Sequence, residues 1–274
     1  MLEITNVSKS YYKKGWFRIK EEIKAVNNVS LCLKEGTCLA IVGESGSGKT
    51  TLGKLLLGME KPDSGEIRFQ AQNIHTASKA VKQQLRKQLQ VVFQDSHSAV
   101  NPRMKIKNII AEPMRLHLSL SKEALQQKIE ELLLLVGLQK SDAEKYPHQL
   151  SGGQLQRVTI ARAISTMPKL IVLDESINSL DLLVQVSILK VLKKLQKQLN
   201  LSYFFITHDL HAVKLFADEV AVMDKGEIVE YITDVQDLQH ISHKASKRLL
   251  DASVTFNRQQ AATHDAVCEE AVVS

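Results

Sequence analysis

The chain has 274 residues, 44% hydrophobic and 24% charged, an ordinary globular composition with length enough to bury a core without disulfide staples. Its net charge of +6 comes from scattered lysines with no interleaved aromatics, which argues against nucleic-acid binding. Cys32, Cys38 and Cys268 fit neither a disulfide framework, a zinc site nor a redox pair, and no window approaches the roughly 18 consecutive apolar residues of a membrane span. A reducing cytoplasm and, at most, a peripheral membrane role follow.

The opening MLEITNVSKSYY reads as a strand rather than a signal or transit sequence. β-rich patterns over 2–7, 25–33 and 37–42 predict an antiparallel start. LAIVG then runs into a glycine loop and a helix ending near Gly58. Pro62, Asp63, Ser64 and Gly65 make a turn before a strand at 66–70, and LQVVFQ reads as a strand over 89–94. Beyond it the texture is helical. KEALQQKIEELLLLVG spaces leucines as a helix and stops at Gly137, and a further helix opens at 151–154 and ends before Pro168. KLIVLDE is the continuous apolar run of a parallel strand covered on both faces. A helix over 182–199, a strand over 203–208, a helix from Asp209 and a hairpin over 219–231 turning at Asp224, Lys225 and Gly226 complete the pattern. The expectation is an α/β fold with a parallel core, an antiparallel edge and a helical insert at about 95–165. Residues 1–251 form one domain in this reading, and 252–274, which lack periodicity, a disordered tail.

Three motifs carry chemistry. Gly43, Glu44, Ser45, Gly46, Ser47, Gly48, Lys49 and Thr50 fit G-x4-G-K-[ST], in which glycines let backbone N–H groups face a phosphate and the next helix adds its dipole. Thr51 continues the nucleotide contact. Lys49 is expected to reach the β- and γ-phosphates and the Thr50 hydroxyl to ligate Mg²⁺. Asp174 and Glu175 close the strand KLIVLDE, at the end where ligands bind in open α/β sheets. Asp174 is read as the Mg²⁺ holder and Glu175 as general base toward water. Leu150 precedes Ser151, Gly152, Gly153 and Gln154, which open a helix and form a second anion site. One nucleotide has little use for two such cradles. A dimer does, each cradle capping the nucleotide held by the partner.

With these motifs in this order and spacing, the chain resembles the ABC ATPases over essentially all of residues 2–250. The resemblance implies a P-loop NTPase core with ATP and Mg²⁺ bound. It also implies roles for residues that the motifs alone do not assign. Gln94, after LQVVF, would contact Mg²⁺ and the attacking water and link the core to the helical insert. His208, after YFFIT, would contact the γ-phosphate and position Glu175, and Tyr11 would stack on adenine. Asp181 would serve cross-talk across the dimer, although the segment before it reads Ser176, Ile177, Asn178, Ser179, Leu180 where most members read P-T-S-A-L.

VNPRM after Gln94, EPMRLHLSLSKE and the extension HISHKASKRLLDA resemble the peptide and nickel permease branch of the importers. FQDSHSAVNPR, LSGGQLQRV and FFITHDL look most like its nickel-import members, with oligopeptide, dipeptide or other metal-chelate import as the alternative. The partners implied are a second ABC ATPase (a paralogue, or a second copy), two membrane permease subunits and, indirectly, an extracytoplasmic solute-binding protein. The place implied is the cytoplasmic face of the cell membrane. A soluble ABC protein of translation or repair usually carries two cassettes or a long coiled-coil insertion, and neither is present. A GTPase-type switch needs an N-K-x-D motif, and none is found.

Overall fold

Uninterrupted apolar strands demand cover on both faces, and here they build the central sheet. In the computed structural model, which describes residues 1–14, 19–93, 95–175 and 181–250, β3 (Cys38–Val42) and β8 (Ser202–Thr207) are buried at every position. They are joined by β6 (Leu89–Val92), β7 (Leu170–Asp174), β9 (Glu219–Asp224) and β10 (Glu227–Ile232) in the order β10-β9-β3-β8-β7-β6. Every pairing is parallel except the hairpin β9–β10. The 37–42 segment therefore does not belong to the antiparallel start. A strand apolar on both faces gains more in the middle of a two-sided sheet than in a sheet with one wet face.

The antiparallel layer consists of β1 (Leu2–Lys14), β2 (Ile19–Leu33), β4 (Ser64–Phe69) and β5 (Gln72–Asn73), ordered β2-β1-β4-β5. Alternate residues such as Ile4, Val29, Leu31 and Ile67 turn inward and pack on Leu52, Leu55 and Leu56 of α1 (Lys49–Leu56) and on Leu39 and Ile41 of β3. Helix α1 is thus held between the two sheets. Register shifts between Ile4 and Ser10 bend β1, which continues past the expected 2–7 as far as Tyr11 and beyond.

The opposite face of the central sheet carries helices. The exception is α2 (Lys79–Gln88), which the sequence pattern had not suggested: it packs Val81 and Leu85 into the core on the α1 side and leads into β6. Between β6 and β7 the described elements are all helical: α3 (Ile106–His117), α4 (Lys122–Leu135), 3-10 turns at Lys140–Glu144 and Pro147–Gln149, and α5 (Gly152–Ile164). Then α6 (Leu182–Leu199) and α7 (Leu210–Phe216) flank β8. Side chains of β3 and β8 alternate between the two cores, Ala40, Tyr203 and Phe205 facing the helices and Leu39, Phe204 and Ile206 facing α1.

Phe205 shows how tightly this core is filled. It is fully buried, and its ring meets Phe216 edge-on at 5.5 Å between centroids. Phe205→Ala is expected to remove about 3–5 kcal/mol from the unfolding free energy, measured by denaturant titration of the full chain. A loss under about 1 kcal/mol would mean that the helices close over the cavity.

Candidate functional site

The loop between β3 and α1 is shaped by close backbone approaches. Gly48 takes φ 110°, and a Cβ there would lie 2.0 Å from the Ala25 carbonyl oxygen. No other residue fits both the conformation and the space. Helix α1 begins without a side-chain cap, so its first N–H groups and dipole are left to an outside acceptor. Lys49 is 4% exposed and donates to the carbonyl oxygens of Gly43 and Glu44, both at 2.8 Å. Its hydroxyl neighbour Ser47 is 3.4 Å away. Glu44, Ser45, Gly46 and Thr50 are exposed around it, with Thr51 half-buried behind.

Strand β7 delivers the carboxylates. Glu175 leaves the strand at φ 45°, and its N–H donates to Ile206 at 2.9 Å. That turn sets its side chain against His208, Oε1 to Nδ1 3.4 Å. Burial, with the Glu175 charge beside it, holds the Asp174 carboxyl above the usual carboxylate range, against the pull of Lys54 and Lys49. Burial likewise pushes the Lys49 ammonium below its ordinary value, opposed by the carboxylates of Glu175 and Asp174. Lys49, Asp174, Glu175 and His208 are therefore one electrostatic cluster. Among the described residues no three His, Cys, Asp or Glu side chains gather into an all-protein metal cage. Magnesium seldom uses one; it takes one or two protein oxygens and completes its shell with phosphates and water. The Thr50 hydroxyl and an Asp174 carboxylate short of positive charge are a donor set of that kind.

The serine-glycine-glycine stretch opens α5. Ser151 Oγ accepts the Gln154 N–H at 3.3 Å, and the Ser151 N–H donates to Gln154 Oε1 at 3.0 Å, a reciprocal cap. A Cβ on Gly153 would meet Val184 Cγ1 at 2.5 Å, so α5 starts hard against the first turn of α6. The cap of α6 is Asp181, whose Oδ1 accepts the Val184 N–H at 3.0 Å. The structure thus sets Gly153 beside the helix start that Asp181 caps. Gln94 and residues 176–180 lie outside the described residues.

Tyr11 is 37% exposed and donates its hydroxyl to Glu60, beside Thr51. Two residues near the site had no motif to announce them. Glu60 is one. Arg248 is the other, with Nε 3.6 Å from Glu44 and Nη2 3.7 Å from Asp224. Both act across long sequence separations, and only the folded chain brings them in.

Asp174 yields a prediction in which function opposes stability. A carboxyl whose folded pKa is raised contributes stability that is present below the unfolded pKa and lost as pH rises through the folded one. At pH 7 the wild-type carboxylate therefore weakens the fold. Asp174→Asn is expected to melt higher than the wild type at pH 7 without nucleotide, and the difference should shrink toward pH 4 as the wild-type acid protonates. A variant that melts lower at pH 7 would contradict the assignment of charge in this site.

Comparison with known proteins agrees with this geometry. Residues 26–178 match the family described as ABC transporter. The Nickel import ATP-binding protein NikE of Escherichia coli strain K12 is 46% identical over 84% of this chain and 86% of its own length. NikE of Shigella boydii serotype 4 strain Sb227 matches with the same identity and coverage. Among solved structures, the ATP-binding cassette MJ0796, a dimer in a post-hydrolysis state with ADP and Pi, superposes with a TM-score of 0.75 at 29% identity, covering 85% of this chain and 98% of that one. CbiO1 from Clostridium perfringens, part of the ABC transporter complex cbiONQ, gives 0.75 at 27% identity over 87% and 90%. The phosphate loop, the carboxylates at the end of β7 and the capped glycine pair of α5 are those of a cassette that hydrolyses ATP to drive transport, and the chain belongs to the ABC transporter family of ATPases.

Proposed function

We propose that this chain energises nickel import as one cassette of a two-ATPase permease, with residues 1–251 as the domain, a helical insert at about 95–165 and a tail from 252. The observation that carries the catalytic half is the buried Lys49 ammonium, held by loop carbonyls and coupled electrostatically to Asp174 and Glu175. Residues 43–51 bind the phosphates and Tyr11 the adenine. Thr50, Asp174 and Gln94 would hold Mg²⁺, which when bound neutralises charge on the β- and γ-phosphates.

Glu175 accepts a proton from the attacking water, and His208, in contact with its Oε1, keeps that carboxylate aimed. Ser151, Gly152, Gly153 and Gln154 cap the nucleotide of the partner cassette, and Asp181 at the adjacent helix start senses that closure. Each site is then complete only in the dimer, so ATP drives closure and hydrolysis releases it.

The partner cassette, two permease subunits and an indirectly coupled solute-binding protein make up the assembly, on the cytoplasmic face of the membrane. No helix among the described residues is long and apolar enough to cross a membrane. A cleft of about 290 Å³ beside β6 supports docking to a permease element. Phe93, Glu112, Leu116, His117 and Arg162 line it, and Leu116 is 71% exposed. Nickel as the solute rests on the 46% identity to the NikE proteins, since no residue here would touch the metal. Peptide or metal-chelate import is the second reading.

Two measurements test the proposal. Glu175→Gln should lower ATP hydrolysis by roughly 10²–10⁴-fold with ATP binding intact; retained turnover removes Glu175 from the role of base. Affinity purification from membranes should recover two permease subunits and a second ATPase, and deletion of the gene should abolish nickel uptake. Normal nickel with lost peptide uptake would move the substrate to the second reading, and no membrane partner would overturn the transport role.

A further inference from the structure

Tyr11 lies on β1, in the antiparallel sheet, whereas the phosphate loop belongs to the central sheet and α1. A base stacked on Tyr11 and phosphates held by residues 43–51 belong to one nucleotide of limited span, so binding favours a fixed relative position of the two layers at this point. The turn after α1 supplies it. The N–H groups of Met59 and Glu60 both point back to the Lys54 carbonyl oxygen, at 3.0 and 3.4 Å. From that turn Asp63 reaches β1 twice, accepting from Lys9 Nζ at 2.8 Å and from the Ser10 N–H at 2.7 Å. Asp63 also donates its own N–H to the Ser8 carbonyl oxygen at 2.8 Å. The next contact along β1 is the Tyr11 hydroxyl on the Glu60 carboxylate. Glu60 is steadied in turn by Lys54 of α1, 3.6 Å away.

We infer that Glu60 is a positioning residue for adenine: it holds the phenol of Tyr11 so that the ring stands where a base on the phosphate loop can stack. The inference rests on the proposed stacking role of Tyr11 and adds to it the residue that sets the ring. A tyrosine is needed rather than a phenylalanine because the hydroxyl is the tether. Burial and the Glu60 acceptor hold that phenol above its ordinary range, with Thr51 pulling the other way, so it remains a donor at neutral pH. Tyr11 is 37% exposed, with Lys9 over one face of its ring, and an acceptor at the hydroxyl edge leaves the other face for stacking. Lys9, 5.9 Å from the ring centroid, is itself tied down by Asp63.

The test compares ligands with and without a base on the full chain. ADP and inorganic pyrophosphate are titrated by calorimetry against wild type, Tyr11→Phe, Tyr11→Ala, Glu60→Ala, Glu60→Gln and the Tyr11→Phe/Glu60→Ala double variant. A hydrogen bond to a charged, partly exposed group predicts that Tyr11→Phe and Glu60→Ala each weaken ADP by roughly 3- to 10-fold. The double variant should be no weaker than either single one, because both remove the same tether. Glu60→Gln, which keeps an acceptor, should recover most of the affinity, and pyrophosphate should bind all variants alike. If Tyr11→Ala weakens ADP while Tyr11→Phe and Glu60→Ala stay within about twofold of wild type, the tether is wrong and the stacking stands. If Tyr11→Ala also leaves ADP unchanged, the stacking role itself fails. Equal loss of ADP and pyrophosphate in Glu60→Ala would make Glu60 a support of the phosphate loop instead, and the inference would be overturned.

Discussion

A short chain of backbone hydrogen bonds governs the site. The Asn27 N–H donates to the Gly226 carbonyl oxygen at 2.8 Å, and the Gly226 N–H donates to Ser47 at 2.9 Å. Three distant parts of the sequence, β2, the β9–β10 turn and the phosphate loop, are thereby fixed to one another. The packing is close enough to exclude side chains. A Cβ at Gly43 would come within 2.2 Å of the Met223 carbonyl oxygen, as one at Gly48 would strike Ala25. The loop therefore does not rely on its glycines alone to stay curled. Its neighbours wall it in, so donors for phosphate are oriented before any phosphate arrives, and little reorganisation remains for binding.

That preorganisation concentrates charge where the fold would not place it for stability. Lys49 is buried with its ammonium on carbonyl oxygens, and Asp174 is half-buried beside a second carboxylate. Each charge is less comfortable than in water, one pushed down and the other up in pKa. In the proposed site a nucleotide with its cation would relieve both at once, because phosphate oxygens favour the ammonium and a divalent ion favours the carboxylate. Strained electrostatics of this kind would make ligand binding a stabiliser of the fold. Burial along β7 is complete up to Leu173 and relaxes at Asp174 and Glu175.

Much of this was legible in the sequence because the relevant physics is local. The glycine loop, the carboxylate pair after an apolar strand and the serine-glycine-glycine helix start each declare their chemistry within a few residues. The helices over 182–199 and from Asp209 also emerged where spacing and caps placed them. What was not legible depends on layers meeting. The strand at 37–42 looks alike in either sheet until its two-sided burial is known. Helix α2 is polar on most of its surface and buries only Leu85 completely, so its periodic signal is faint. Glu60 reaches Tyr11, and Arg248 reaches Glu44, across separations that no local pattern encodes.

The capped glycine pair of α5 shows why a local motif can still require the whole fold. The reciprocal cap satisfies the N–H groups of Ser151 and Gln154 with side chains. The N–H groups of Gly152 and Gly153, in the first turn, have no intrahelical acceptor and suit an anion from outside. Gly153 cannot carry a side chain because Val184 of α6 occupies that space. Further along the same helix, Arg157 donates to the Val136 carbonyl oxygen at the end of α4 and, at 2.7 Å, to Ser187 of α6. In the proposed dimer a shift of α5 toward a partner's phosphate would therefore pull on α6, with Asp181 at its start. That coupling would run through packed atoms: the residues proposed to read the partner's nucleotide and the residue proposed to sense closure belong to helices packed against each other.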